Sequence, residues 1–171
     1  MAGTLFLLFK IGDDRYALEA SRVVAVLPLL PFKPVPGAPG GIAGVVNYHG
    51  AAVPVVDLQA MLLGLGTAPR LSTRLFVIHY RGGKGSKGEK NVAVPERQDR
   101  PVALMAGMAT ESIRLNRADF QPAGVTGASC LGPVIALPRR IVQEIEPEAI
   151  LTPEVRERLW AAMAAAGEAA P

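Results

Sequence analysis

Strand-length apolar runs, each ending close to a glycine, proline, asparagine or aspartate, dominate this sequence and leave little room for long helices. Strands are expected near Leu5–Lys10, Tyr16–Glu19, Val23–Leu27, Ile42–Asn47, Ala52–Val56 and Arg74–Tyr80. A second set follows near Val102–Ala106, Ser112–Leu115, Val134–Leu137 and Ile141–Ile145. Gly12-Asp13-Asp14 and Asn47-Tyr48-His49-Gly50 read as hairpin turns, because these residue types tolerate tight backbone geometry. Two sets of short strands predict an all-β architecture of two small barrels. No residue-level repeat is visible between the halves, so any internal duplication is expected to be structural alone.

The connections follow from residue chemistry. Pro28, Pro31, Pro34, Pro36 and Pro39 hold a stiff extended loop, since proline ends helices and removes a ladder donor. Asp57 can cap a short helix over Leu58–Leu63, with Gly64 as its stop. Thr152-Pro153-Glu154 is a helix start, with threonine as cap, proline in the first turn and an acid at the positive end of the dipole. Val155, Leu159 and Met163 then recur at spacing four beside Trp160, so this helix is expected to dock on the domain.

Half of the 171 residues are hydrophobic and 19% are charged, which excludes a wholly disordered chain. A chain of this size buries roughly 70% of its unfolded surface, enough for a core without staples. Cys130 is the only cysteine; it is expected to be a buried apolar thiol, with no call for an oxidising compartment. The run Leu5–Phe9 lacks a basic leader and is too short for a signal peptide or membrane span, so it reads as a buried strand.

Catalytic and metal patterns fail on spacing. Gly82 to Gly88 has no phosphate-loop arrangement, and neither Ser86 nor Ser129 has a glycine on both sides at the positions of a nucleophile elbow. His49 and His79 are the only histidines and lie far from Cys130 in sequence, so no zinc-type ligand set and no cofactor site are expected. His79 reads as a structural strand residue, and His49 as an exposed turn residue able to touch a partner. Arg81, Lys84, Lys87 and Lys90 crowd a Gly-rich stretch over Arg81–Asn91. That stretch is expected to be a mobile, solvated hairpin tip. The alternative is a nucleic-acid-binding barrel using residues 81–90, but no aromatic lies there to stack on bases.

The stretch Phe6-Leu7-Leu8-Phe9-Lys10-Ile11-Gly12-Asp13-Asp14-Arg15-Tyr16-Ala17-Leu18-Glu19 resembles the opening of the CheW-like chemotaxis coupling family. Gly44-Val45-Val46-Asn47-Tyr48-His49-Gly50 running into Val53-Pro54-Val55-Val56-Asp57-Leu58 is similar to the family's Gly-Val-x-Asn-x-Arg-Gly turn and Val-Pro-x-x-Asp-Leu strand. Val102–Gly107, Ser112–Leu115, Ile141–Ile145 and Glu148–Leu151 lie where the family has its later strands and closing helix.

The resemblance implies a domain over 5–151 of two intertwined, SH3-like five-stranded β-barrel subdomains on a shared core, with a boundary near 81–91. An amphipathic C-terminal α-helix over 152–166 and a tail over 167–171 would follow. It also implies a cytoplasmic scaffold, with no reaction of its own and no membrane insertion, that joins the cytoplasmic tip of a chemoreceptor to the regulatory domain of a CheA-type histidine kinase in receptor arrays. Three positions depart from the family: His49 replaces the turn arginine, Ala25 a frequent acid and Gly107 a frequent aspartate. These departures imply a divergent member matched to a dedicated receptor and kinase, while the Tyr48-His49 turn, the Trp-bearing C-terminal helix and the long basic loop are more similar to couplers of alternative, surface-sensing (Wsp-type) systems.

The partner surface implied by the resemblance includes Val23, Ala25, Leu27, Gly44, Tyr48, His49 and Ala52. Small apolar residues on outward strand positions would let a partner approach with little desolvation cost. On that reading Asp at position 44 or 52 would leave the fold intact while weakening the contact.

Overall fold

A single long strand organises the molecule. The computed structural model describes residues 3–81, 100–124 and 127–168. Within it β7 (Arg100–Leu115) runs for 16 residues and belongs to both halves of the structure. Around it stand β1 (Thr4–Ile11), β2 (Asp14–Glu19), β3 (Val23–Pro28), β4 (Ile42–Tyr48), β5 (Ala51–Asp57), β6 (Arg74–Tyr80), β8 (Leu131–Leu137) and β9 (Arg140–Ile145). The α-helices among the described residues are α1 (Leu58–Leu63) and α2 (Pro153–Glu168).

Two five-stranded SH3-like barrels result. In barrel one, β3 pairs with β6, β6 with the first half of β7, that half with β5, and β5 with β4. In barrel two, the second half of β7 pairs with β1, β1 with β2, β2 with β9, and β9 with β8. Each barrel thus has three antiparallel pairings and one parallel pairing, in the same spatial order. In chain order, the second barrel is a circular permutation of the first, because β1 and β2 come before β3 rather than after β9.

Each barrel also carries one closing rung, Lys33 to Val45 and Gln121 to Val134, made by two backbone bonds of 2.8 Å apiece. The rung residues lie in the matching tripeptides Phe32-Lys33-Pro34 and Phe120-Gln121-Pro122. Both tripeptides lie between one strand and the hairpin that follows it, β3 and β4–β5 in one barrel, β7 and β8–β9 in the other, so the two barrels share a short Phe-x-Pro match at the rung.

Two sequence expectations change here. Val102–Ala106 and Ser112–Leu115 are one strand interrupted by a bulge, where register on β1 slips between Leu8 and Lys10 and Met108 adopts φ +49°. Bulges of this kind bend a strand and raise its twist. This one lets β7 leave the first barrel and enter the second. Nor do the barrels follow the halves of the chain, since the N-terminal hairpin belongs to barrel two. The expected boundary near 81–91 and the expected mobile tip lie, apart from Arg81, outside the described residues.

Double-sided burial explains the continuous apolar run in β6. Leu75 and Val77 fill barrel one with Val46, Val53, Val55, Ala103 and Met105, whereas Phe76 and Ile78 face the core shared between barrels. A strand covered on both faces needs no polar alternation. Phe6, Leu8, Ala17, Leu115, Ile135 and Val142 fill barrel two. Helix α2 seats Leu159 fully in the shared core, with Val155, Trp160 and Met163 around it, and the Arg100 guanidinium lies 4.7 Å from the Trp160 ring centre. Thr152 Oγ1 accepts from the Val155 amide at 3.3 Å, the cap expected from sequence.

Barrel two closes its ends with charge. At one end Arg117 donates to both oxygens of Glu144 at 2.8 and 2.9 Å, also pairs with Glu19, and lies 5.3 Å from the Phe6 ring centre. At the other, Glu111 accepts from Arg15 at 3.1 Å with Arg140 at 3.7 Å.

Candidate functional site

The β4–β5 hairpin ends in two residues, His49 at φ +50° and Gly50 at φ +82°. Positive φ at both central positions matches the twist of the flanking strands and is the reason such turns favour Asn-Gly or Gly. A histidine in the left-handed region is unusual, and Asn47 Oδ1 steadies it by accepting the Gly50 amide at 2.9 Å. The Tyr48 and His49 rings meet edge to face at 4.3 Å. Tyr48 is half-buried against barrel one, while His49 and Ala52 are exposed. These three proposed contact residues do share one surface tip.

Gly44 does not. It is buried, and a Cβ there would overlap the Lys33 carbonyl oxygen and stand 2.8 Å from its carbon. Lys33 is held in place by the closing rung, so the clash falls on fixed backbone. Gly44 is required for barrel closure, and the expectation that Asp is tolerated at this position is overturned.

On β3 the expected face is the inner one. Val23 packs on the shared core, and Ala25 and Leu27 pack inside barrel one. The outward residues are their neighbours Val24 and Val26, 50% and 49% exposed. Alternation is strict in the structure but illegible in Val-Val-Ala-Val-Leu-Pro, where nearly every residue is apolar.

Val26 forms part of an open groove of about 310 Å³ between the barrels, together with Leu7 of β1, Phe76 and Arg74 of β6, and Ala109–Ser112 of β7. Leu7 and Phe76 supply apolar lining, Glu111 supplies a carboxylate, and Arg74 donates to the backbone carbonyls of Leu71 and Thr73. No local motif announced this site, because its walls come from strands far apart in sequence. A second groove, about 420 Å³, runs along β8 and is lined by Arg114, Asn116, Asp119 and Gln121 among others.

Neither groove holds a reactive constellation. Among the described residues no three His, Cys, Asp or Glu side chains converge as metal ligands. Cys130 is buried, and burial pushes its thiol pKa up, away from the reactive thiolate. Burial likewise raises the Tyr16 phenol. His79 is exposed on β6, and His49 lies in the β4–β5 turn. No helix of the described residues is long and apolar enough to cross a membrane. The basic stretch considered for nucleic acid falls, except for Arg81, outside the described residues.

Fold and groove together define the class: a paired-barrel module with an open groove of mixed apolar and polar lining between the barrels. A protein-family model described as CheW-like domain matches residues 5–154. The chain therefore belongs to the CheW-like domain family. Among solved structures it is similar to the scaffolding protein TtCheW from Thermoanaerobacter tengcongensis, with a TM-score of 0.73 and 15% identity over 89% of this chain and 90% of that one. No curated protein matches the chain in sequence. At that identity the structural likeness speaks for the fold, and the family match carries the assignment.

Proposed function

We propose that this protein is a non-catalytic coupler that joins the cytoplasmic tip of a transmembrane chemoreceptor to the regulatory domain of a CheA-type histidine kinase. The observation that carries this reading is the family match across residues 5–154. The architecture supports it. Two barrels on one rigid core present separate surfaces, the hairpin tip at Tyr48, His49 and Ala52 and the groove beside Val26, so two partners can be held at once. In this reading the protein is cytoplasmic and reaches the membrane only through receptor arrays. His49 and Gly107, which differ from the family's usual residues, would fit it to a dedicated receptor and kinase of a surface-sensing type.

Calorimetry against a receptor cytoplasmic fragment and the kinase regulatory domain tests this, with genomic neighbours of the gene choosing the fragments. Val26→Asp and Ala52→Asp replace exposed apolar side chains, so both variants are expected to fold. Each should weaken one partner by on the order of 2 kcal/mol, since a charge would be buried unpaired at the contact. Wild-type protein that binds neither partner refutes the coupler reading. Normal binding by both variants places the contact surface elsewhere.

A further inference from the structure

Barrel two ends in ion clusters of opposite sign. The inward face of its strands runs through Leu8 on β1, Ala17 on β2, Val142 on β9 and Ile113 on β7, which pack in or against its core. Two residues nearer the β1–β2 turn on each strand, and on the same face because side chains alternate, stand Lys10, Arg15, Arg140 and Glu111. At the far end one cation, Arg117, meets two carboxylates, Glu19 and Glu144. The mouth near the β1–β2 turn is the reverse, with three cations and one carboxylate among the described residues. That carboxylate is overcommitted, since Arg15 and Arg140 approach the same oxygen of Glu111, Oε2, at 3.1 and 3.7 Å. Lys10 stands across from Arg15 on β2 and from Gly107 on β7, so its cross-strand neighbours are a like charge and a residue with no side chain. Like charges placed directly opposite in a sheet repel. Lys10 has no ion-pair partner among the described residues. In the adjoining turns Asp13 and Arg139 offset each other, and Asp14 lies on the other face of β2, where its charge acts on Tyr16.

We propose that the mouth of barrel two binds a small phosphate-bearing anion, held between Lys10, Arg15 and Arg140. Charge is the first reason. The cluster is short of about two negative charges, which one phosphate group nearly supplies at neutral pH and a carboxylate does not. Donor geometry is the second: a guanidinium presents a planar fork that matches two phosphate oxygens, and an ammonium adds a point charge. Each guanidinium keeps N–H donors that the shared Glu111 oxygen does not use. All three cations are partly buried, which limits screening by salt while leaving them open to a small ligand. None of them lines either groove, so this site is separate from both.

The test is calorimetric titration of the full chain with pyrophosphate at low salt, paired with thermal unfolding. Pyrophosphate should bind with a Kd on the order of a millimolar or tighter. It should raise the melting temperature, whereas acetate at matched ionic strength should not. Lys10→Gln breaks no ion pair and should weaken binding about tenfold. Without the anion, that variant should melt at or above the wild-type temperature, because its repulsion with Arg15 is gone. Glu111→Gln should tighten binding about threefold, since it removes the competing carboxylate. Arg158→Gln, on the exposed surface of α2, should change nothing. Titration with adenosine diphosphate separates two sources of the same chemistry: tighter binding than pyrophosphate marks a phosphoester ligand, and equal or weaker binding marks free phosphate. No binding of pyrophosphate, or binding that Lys10→Gln leaves intact, overturns the proposal. Neither result touches the receptor and kinase titrations, so the coupler reading stands or falls separately.

Discussion

Removing Arg117 should open one end of barrel two. In the native protein its guanidinium makes two charge-assisted bonds, of 2.8 and 2.9 Å, to a Glu144 side chain only 9% exposed, and a further contact to Glu19. Arg117→Ala leaves the Glu144 carboxylate buried without its cation. Breaking a fully buried pair costs about 3–5 kcal/mol. Water reaches the Arg117 side chain, which is 45% exposed, so the figure falls to roughly 2–3 kcal/mol. For a domain of this size that lowers the melting temperature by roughly 5–10 °C. R117M/E144M removes both charges and should recover much of the loss.

Acid titration supplies a second reading of the same cluster. The Ser21 hydroxyl, 2.6 Å away, is the chief group holding the Glu19 carboxyl below its ordinary pKa; Arg117 adds to this and burial opposes it. A carboxylate with a lowered folded-state pKa contributes stability that is present above its unfolded value and lost as pH falls through the folded value. Wild-type protein should therefore lose stability below about pH 4, and Arg117→Ala should show a flatter loss over that range. Calorimetric melting temperatures across pH give both results. A variant melting within a degree of wild type, with an unchanged acid limb, would refute the cluster's role in closing the barrel.

Gly44→Ala should destabilise by at least about 2 kcal/mol, since its Cβ meets the fixed Lys33 backbone, and denaturant unfolding measures this. His49→Asn should keep or slightly raise the melting temperature, because asparagine tolerates the left-handed conformation better. Cys130, buried with a raised pKa, should react with a thiol reagent only as fast as the protein opens, and rapid labelling of native protein would contradict its placement.

The sequence by itself determined the local elements of this protein. Asp57 accepts the Ala60 amide at 3.1 Å and Gly64 ends α1 at φ +72°, both set by residue type within a few positions. Strand-length runs and turn residues likewise settled an all-β architecture, and one contiguous motif, from Gly44 to Leu58, was enough to indicate the family. Long-range pairing decided the rest. Which side of β3 faces out depends on its register with β6, and a strand of almost uniform apolarity carries no mark of it. Gly44 looked like a surface residue until the chain brought Lys33 against it. The groove exists only because β7 crosses between barrels and because β1, arriving from the start of the chain, pairs beside it. The symmetry of the two barrels stayed hidden for the same reason: circular permutation preserves contacts in space while scrambling their order in sequence.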